Sequence, residues 1–248
     1  MASIATLFTY SINTIGASLV FFIKTINQKV LSFLLSFSSG VMIAAAFFSL
    51  LNPAIDLLIK LNKPIYLSTT LGFITGSFLI IFSDILMEHK LKISSENKKQ
   101  ILLVSSITLH NIPEGLAVGV AFGSLALYPN ELSLTGAILI ALGIGIQNFP
   151  EGASTSLALA AKGVKKTKSF FIGQASGIIE IIAGILGVLF VSFIESLLPF
   201  LLSFSAGAMI AVCSSELIPD SFKENKILAS IGLTIGFVIM MFLDITLS

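Results

Sequence analysis

Long apolar runs dominate the chain, and clusters of Lys, Pro or Asn cut them into pieces of similar length. Crossing the ~30 Å hydrocarbon layer of a bilayer takes roughly 20 apolar residues in a helix. On that measure the runs predict eight transmembrane helices, at 4–23, 30–51, 65–87, 100–126, 132–161, 169–193, 197–220 and 227–247. Pro113 and Pro150 interrupt the fourth and fifth. The pattern also repeats. FSSGVMIAAAFFSLL (37–51) is echoed by FSAGAMIAVCSSELI (204–218) at an offset of 167. GFITGSFLIIFSDI (72–85) is echoed by GLTIGFVIMMFLDI (232–245) at an offset of 160, keeping both glycines, a phenylalanine and the aspartate. HNIPEG (110–115) returns as QNFPEG (147–152), 37 residues later.

Composition removes the soluble alternative. Of 248 residues 55% are hydrophobic and only 11% charged, with a mean hydropathy of +1.02, too little polar surface to face water. The expected fold is an all-α polytopic membrane protein, a single transmembrane domain over 1–248 with no soluble domain left over. Orientation follows from the lysines. With the N-terminus outside, the loops after spans 1, 3, 5 and 7 hold twelve lysines, against Lys60 and Lys63 on the other face. That is a positive-inside bias and sets both termini outside the cytoplasm. Span 2 then runs opposite to its echo, span 7, and span 3 opposite to span 8. The plan is an inverted repeat of three, two and three helices, with a substrate site near the bilayer midplane where interrupted helices meet. Cys213 is alone, which leaves no disulfide framework and no cysteine zinc site. MASIATLFTY carries no positive n-region, so no cleaved signal peptide is expected. Gly72, Gly76, Gly232 and Gly236 form small-xxx-small patterns suited to helix packing.

The chemistry lies in acids placed inside the membrane. Glu114, Glu151, Glu180 and Glu216 fall within predicted spans, Asp84 and Asp244 lie near span ends, and no lysine falls within a span. A charged side chain at the bilayer centre costs at least ~2.5–3.5 kcal/mol. Carboxylates without basic partners need protons or metal cations as counter-charges. His110 and Glu114 are four apart, one turn from each other on one helical face, and Gln147 and Glu151 repeat the spacing. Asn111 and Asn148 add carbonyl oxygens. His110 follows Lys99 by a helical rise of ~16 Å, which puts it close to mid-membrane. Imidazole, carboxylate and amide oxygen suit zinc and neighbouring first-row ions better than calcium or magnesium. An intramembrane metalloenzyme is the alternative from another class; the chain has no HExxH motif and one membrane histidine, which count against it. A metal exporter or proton-coupled exchanger fits the acids as well as an importer does.

At these residues the sequence resembles the ZIP (Zrt/Irt-like) family of metal transporters, in particular its bacterial GufA-like branch, over essentially the whole chain. The resemblance implies eight helices in a 3+2+3 arrangement with outward termini, no enzymatic activity, and uptake of zinc, with cadmium, iron or manganese as other substrates. It implies a binuclear metal centre. The first site would use His110, Glu114, Gln147 and Glu151 with Met42 as a soft ligand; the second would use Asn111, Glu114, Asn148, Glu151 and Glu180. Ser49 and Asp56 would lie on the way in, and Glu216 and Asp220 near the way out. Two positions depart from the wider pattern: many members carry His in place of Gln147, and some carry Asp in place of Asn148. The loop between spans 3 and 4 keeps only His89 of the His-rich stretch found in many relatives. Expected partners are divalent metal ions and the lipid bilayer, with a homodimer allowed and no nucleic acid. The lysine-only basic set, as an AT-rich genome produces, and the branch resemblance set the expected location as a bacterial inner membrane.

Overall fold

The computed structural model of the chain describes residues 1–23, 27–90, 111–112, 114–125, 131–161, 163–223 and 225–247. Among them regular structure is helical throughout. The elements are α1 (Ala2–Phe22), α2 (Gln28–Ala45), α3 (Asn52–Lys60), α4 (Ile65–Lys90), α5 (Glu114–Leu125), α6 (Glu131–Ala161), α7 (Lys166–Ala175), α8 (Ile178–Leu189), α9 (Val191–Val212), α10 (Ile218–Phe222) and α11 (Lys226–Leu247). Seven stretches of the described residues are long and apolar enough to cross a membrane: Ala2–Phe22, Gln28–Lys60, Ile65–Ser83, Leu134–Ala161, Lys166–Leu189, Ser196–Phe222 and Lys226–Thr246. Of the fourth predicted span, 100–126, residues 100–110, 113 and 126 lie outside the described residues; its apolar part Glu114–Leu125 is helical.

Local chemistry explains where the helices start, stop and bend. Asn27 caps α2 by accepting from the Lys29 amide at 2.9 Å, and Asn225 caps α11 by accepting from the Leu228 amide at 3.0 Å. At the end of α3 the chain turns through Asn62, at φ +51°, with the Lys63 amide bonded to the Leu58 carbonyl. Two π-helical turns, Ala46–Leu51 and Cys213–Leu217, lead into α3 and α10. They begin at positions separated by the same offset of 167, and Pro53 and Pro219 follow them. A proline cannot donate to the preceding turn, and a π turn lets the helix change register ahead of it. The run predicted over 30–51 therefore continues as one rod to Lys60. The run predicted over 169–193 is two helices, α7 and α8, divided at Ser176–Gly177.

The exterior is apolar and the interior carries polar groups, the reverse of a soluble bundle. Phe78, Phe193 and Phe242 point outward, whereas Glu114, Gln147, Asn148, Glu151 and Glu180 are at most 1% exposed. Helices approach closely through glycine. α4 packs on α9, and a Cβ on Gly76 would stand 1.9 Å from the Phe204 carbonyl oxygen; one on Gly207 would stand 2.1 Å from that of Phe73. α11 packs on α2 in the same way, with Gly236 over Phe37 and Gly40 over Leu233, each at 2.1 Å. The remaining helices gather separately. α1 lies against α6, α7 and α8, and α5 meets α8 where Gly119 faces Gly184. The two groups meet mainly where α2 contacts α6.

Gly76→Ala and Gly207→Ala should each destabilise the protein by about 1–3 kcal/mol, the cost of overpacking a close contact. Gly136→Ala, where an added Cβ meets nothing within 4 Å, should not. Thermal melts in detergent check this, and equal midpoints for all three variants would contradict the α4–α9 contact.

Candidate metal centre

Three helices deliver the buried acids. Glu114 lies in α5, Glu151 in the middle of α6, and Glu180 in the first turn of α8. The last two sit beside irregular points of the backbone. Pro150 sits inside α6 and has no N–H to give the Ile146 carbonyl, which loosens the helix beside Gln147 and Glu151. On α8 the break at Ser176–Gly177 strips the last carbonyls of α7 of their helical partners. Asn13 of α1 replaces them: its Nδ2 donates to the Gly173 carbonyl at 3.2 Å and to that of Gln174 at 3.5 Å. Tyr10 adds a hydrogen bond to the Gln174 side chain. The turn that carries Glu180 is thus pinned to α1.

Amides of α6 connect the acids. Gln147 Nε2 donates to Glu114 Oε1 at 2.5 Å, and Asn148 Nδ2 donates to Glu180 Oε1 at 2.6 Å and to the Thr9 carbonyl at 3.4 Å. Glu180 lies within electrostatic reach of both Glu114 and Glu151. Asn148 Oδ1, Glu180 Oε2 and both amide atoms of Asn111 are buried with no hydrogen-bond partner among the described residues. A buried polar atom without a partner typically costs ~1–3 kcal/mol. Residues 101–161 and 178–222 contain no Lys, so their sequence offers these carboxylates no cationic side chain except His110. Oxygen donors with this much unmet demand suit a divalent cation. Among the described residues no three His, Cys, Asp or Glu side chains are grouped so that they could hold a metal ion by themselves. His110 and Pro113 of the first motif lie outside the described residues.

Two methionines border the same turn of α6 from the other helix group. Met42 of α2 and Met209 of α9 are fully buried. The Ser38 hydroxyl lies 3.3 Å from both the Pro150 carbonyl and Ser154 Oγ and 4.0 Å from Met42 Sδ, three acceptors for its single proton. Gln147 Nε2 stands 3.9 Å from Met209 Sδ.

Further along α6 a cavity of about 340 Å³ begins beside Ile146 and is lined by Ser49, Asp56, Lys60, Gly143 and Asp244. Ser49 donates to Asp244 Oδ1 at 2.7 Å. Ser49 and Asp56 thus share one chamber, and Asp244 joins them. Glu216 and Asp220 are placed elsewhere. Glu216 is in the second π turn and Asp220 in α10, bonded to Lys223. Ser32, near the start of α2, bonds the Ser221 carbonyl there. At 1.5 Å per residue, Ser32 and Ser49 are ~25 Å apart along their rod, with Met42 between them. The two predicted path segments therefore lie toward opposite ends of the bundle.

Sequence reading missed Asn13, Ser38 and the role of Asp244. A lone Asn in an apolar span was the signal for the first, and the aspartate shared by 84 and 244 the signal for the last.

Comparison with known proteins adds the following. The profile of the family described as ZIP Zinc transporter matches residues 84–244. The Xenopus tropicalis protein named zinc transporter ZIP11 is 32% identical, over 98% of this chain and 96% of its own. The Bordetella bronchiseptica zinc transporter ZIPB is 32% identical over 96% of this chain and 78% of its own. The Myxococcus xanthus zinc transporter GufA is 38% identical over 69% of this chain and 68% of its own.

Asn13→Ala should remove the cap on α7 at about 1 kcal/mol, the scale of a hydrogen bond between membrane helices. It should also shrink the rise in melting midpoint that added Zn²⁺ produces, because the Glu180 turn is no longer held. Melts with and without Zn²⁺ measure both effects.

Proposed function

The chain belongs to the ZIP family of zinc transporters, and we propose that it carries Zn²⁺ through the membrane into the cytoplasm by way of a centre at the bilayer midplane. The observation that carries this is the convergence of Glu114, Glu151 and Glu180, fully buried on three helices inside an apolar exterior, with amides rather than lysines between them. A site that only stabilised the fold would gain more from apolar packing there. A site that must accept and release a cation needs the charge and the partly unmet oxygens.

The overall plan goes with this reading. Eight spans form an inverted 3+2+3 repeat with both termini outside; the matched glycine contacts of α4 on α9 and α11 on α2, and the matched π turns, support it. Zn²⁺ enters the chamber of Asp56, Ser49 and Asp244. It then binds between His110, Glu114, Gln147 and Glu151 with Met42, and beside them at Asn111, Asn148 and Glu180, where Glu114 and Glu151 bridge two ions. It leaves past Glu216 and Asp220. Neutral amides at 147 and 148 weaken the ligand field relative to imidazole and carboxylate, which favours release and extends the substrates to Cd²⁺, Fe²⁺ and Mn²⁺. The membrane is a bacterial inner membrane.

Purified protein in liposomes should accumulate Zn²⁺ down its gradient, and Glu114→Ala with Glu151→Ala together should reduce uptake to that of empty liposomes. Retained uptake in the folded double variant would sink the ligand assignment. A ligating carboxylate must be deprotonated, so acid opposes binding and uptake should fall as the external pH is lowered below neutral. Flux under imposed pH and metal gradients reads this; uptake driven only by an opposing proton gradient would mark an exchanger instead.

A further inference from the structure

We infer that Met209 is a second thioether contact for the transported ion, the counterpart of Met42, and that the pair sets the preference for soft over hard cations. The inference rests on the transport reading above. It starts from the repeat: Met42 and Met209 occupy equivalent positions at the offset of 167, on α2 and α9. Both are fully buried, and each sulfur has a polar side chain beside it, Ser38 for Met42 and Gln147 of α6 for Met209. Ser38 in turn lies against Pro150 and Ser154, and Gln147 bonds Glu114.

The spacing fits coordination. With Zn–O at ~2.1 Å and Zn–S at ~2.3 Å, two donors at the tetrahedral angle on one ion are roughly 3.6 Å apart. The Gln147 amide end and Met209 Sδ are 3.9 Å apart, so one ion between them touches both after a shift of a few tenths of an ångström. Gln147 now directs its nitrogen there, bonded to Glu114 Oε1. An arriving cation takes over Glu114, and turning the amide over then presents its oxygen at the same place. Ordinary core packing at this position asks only for volume, which Leu supplies equally well. It gives no reason for sulfur at both repeat positions, each touching a polar side chain of the metal centre or its support. The chemistry that sulfur adds is affinity for Cd²⁺ and Zn²⁺ over Mn²⁺ and Mg²⁺.

The test uses the full-length purified protein, wild type and with Met42→Leu, Met209→Leu or both, loaded with Cd²⁺ and examined by X-ray absorption at the cadmium edge. Sulfur should be present in the first shell of wild type and of Met42→Leu, reduced in Met209→Leu, and absent in the double variant. In liposomes Met209→Leu should lower the ratio of Cd²⁺ to Mn²⁺ uptake by about tenfold or more, since even groups outside a coordination shell act on that scale. Leu is close to Met in volume, and melts verify that each variant folds. An unchanged sulfur shell in Met209→Leu, or an equal loss of uptake for both ions, overturns the inference and leaves Met209 a packing residue. If wild type itself neither binds Cd²⁺ nor carries any of these ions, it is the transport reading that falls.

Discussion

A carboxylate in a low-dielectric interior must have a counter-charge, and this bundle contains three such groups on helices that carry no lysine. The rest of the interior is arranged around that demand. Gln147 and Asn148 supply part of it by donating to Glu114 and Glu180 from adjacent positions on α6. An amide gives one or two hydrogen bonds, not a charge, so the acids are held in place without being neutralised. A buried Lys would have satisfied them and closed the site to ions; an apolar side chain would have left them unheld. The amide is the intermediate choice that fixes geometry and keeps room for a cation.

The buried acids also lie beside backbone that departs from a regular helix, and each departure has a local cause and a neighbouring support. Pro150 opens α6 beside Glu151, and Ser38 of α2 bonds the Pro150 carbonyl. The α7–α8 break aims Glu180 inward, and Asn13 takes the carbonyls that the break leaves over. Non-helical backbone at membrane depth is tolerated only where protein groups or a cavity meet its polar atoms. Glycines complete the arrangement. Gly115 brings α5 so close to Glu180 that a Cβ would stand 2.4 Å from its carbonyl oxygen, and Gly152 brings α6 within 2.1 Å of the Asn13 carbonyl in the same sense. The small residues therefore set the distances over which the acids meet.

Much of this was legible along the chain, because a helix that faces lipid must be apolar over its length and an acid inside it stands out. Glu114, Glu151 and Glu180 were identifiable that way, Gln147 and Asn148 through the repeated motif, and the structure brings them together. What stayed hidden depends on which helix lies beside which. Asn13 is an ordinary polar residue of α1 until α7 breaks opposite it. Asp244 sits at the end of α11, and only the packing of α11 on α2 carries it to Ser49. The echo of 72–85 in 232–245 marked equivalent segments but not their partners: α4 packs on α9 and α11 on α2, so each segment joins an element far from it along the chain. The π turns were hidden for a similar reason. Pro53 and Pro219 announce a disturbance, but whether a helix stops, kinks or changes register is decided by the walls around it.

The division of donors between the two helix groups follows from the same physics. Buried oxygen donors are costly, so they need hydrogen-bonding neighbours, and these occur on α1 and α6, where Thr9, Asn13, Gln147 and Asn148 are. The facing wall of α2 and α9 has a different task, since it packs glycine to backbone against α11 and α4 and is mainly Ala, Val, Ser and Gly around the centre. A carboxylate on that wall would have no comparable support. A thioether needs none: it is apolar enough to be buried without a donor, and still offers a lone pair to a soft ion. Methionine is thus a ligand type that such a wall can present without weakening its own packing, and the proposed contacts Met42 and Met209 stand where the wall meets Ser38, Pro150 and Gln147.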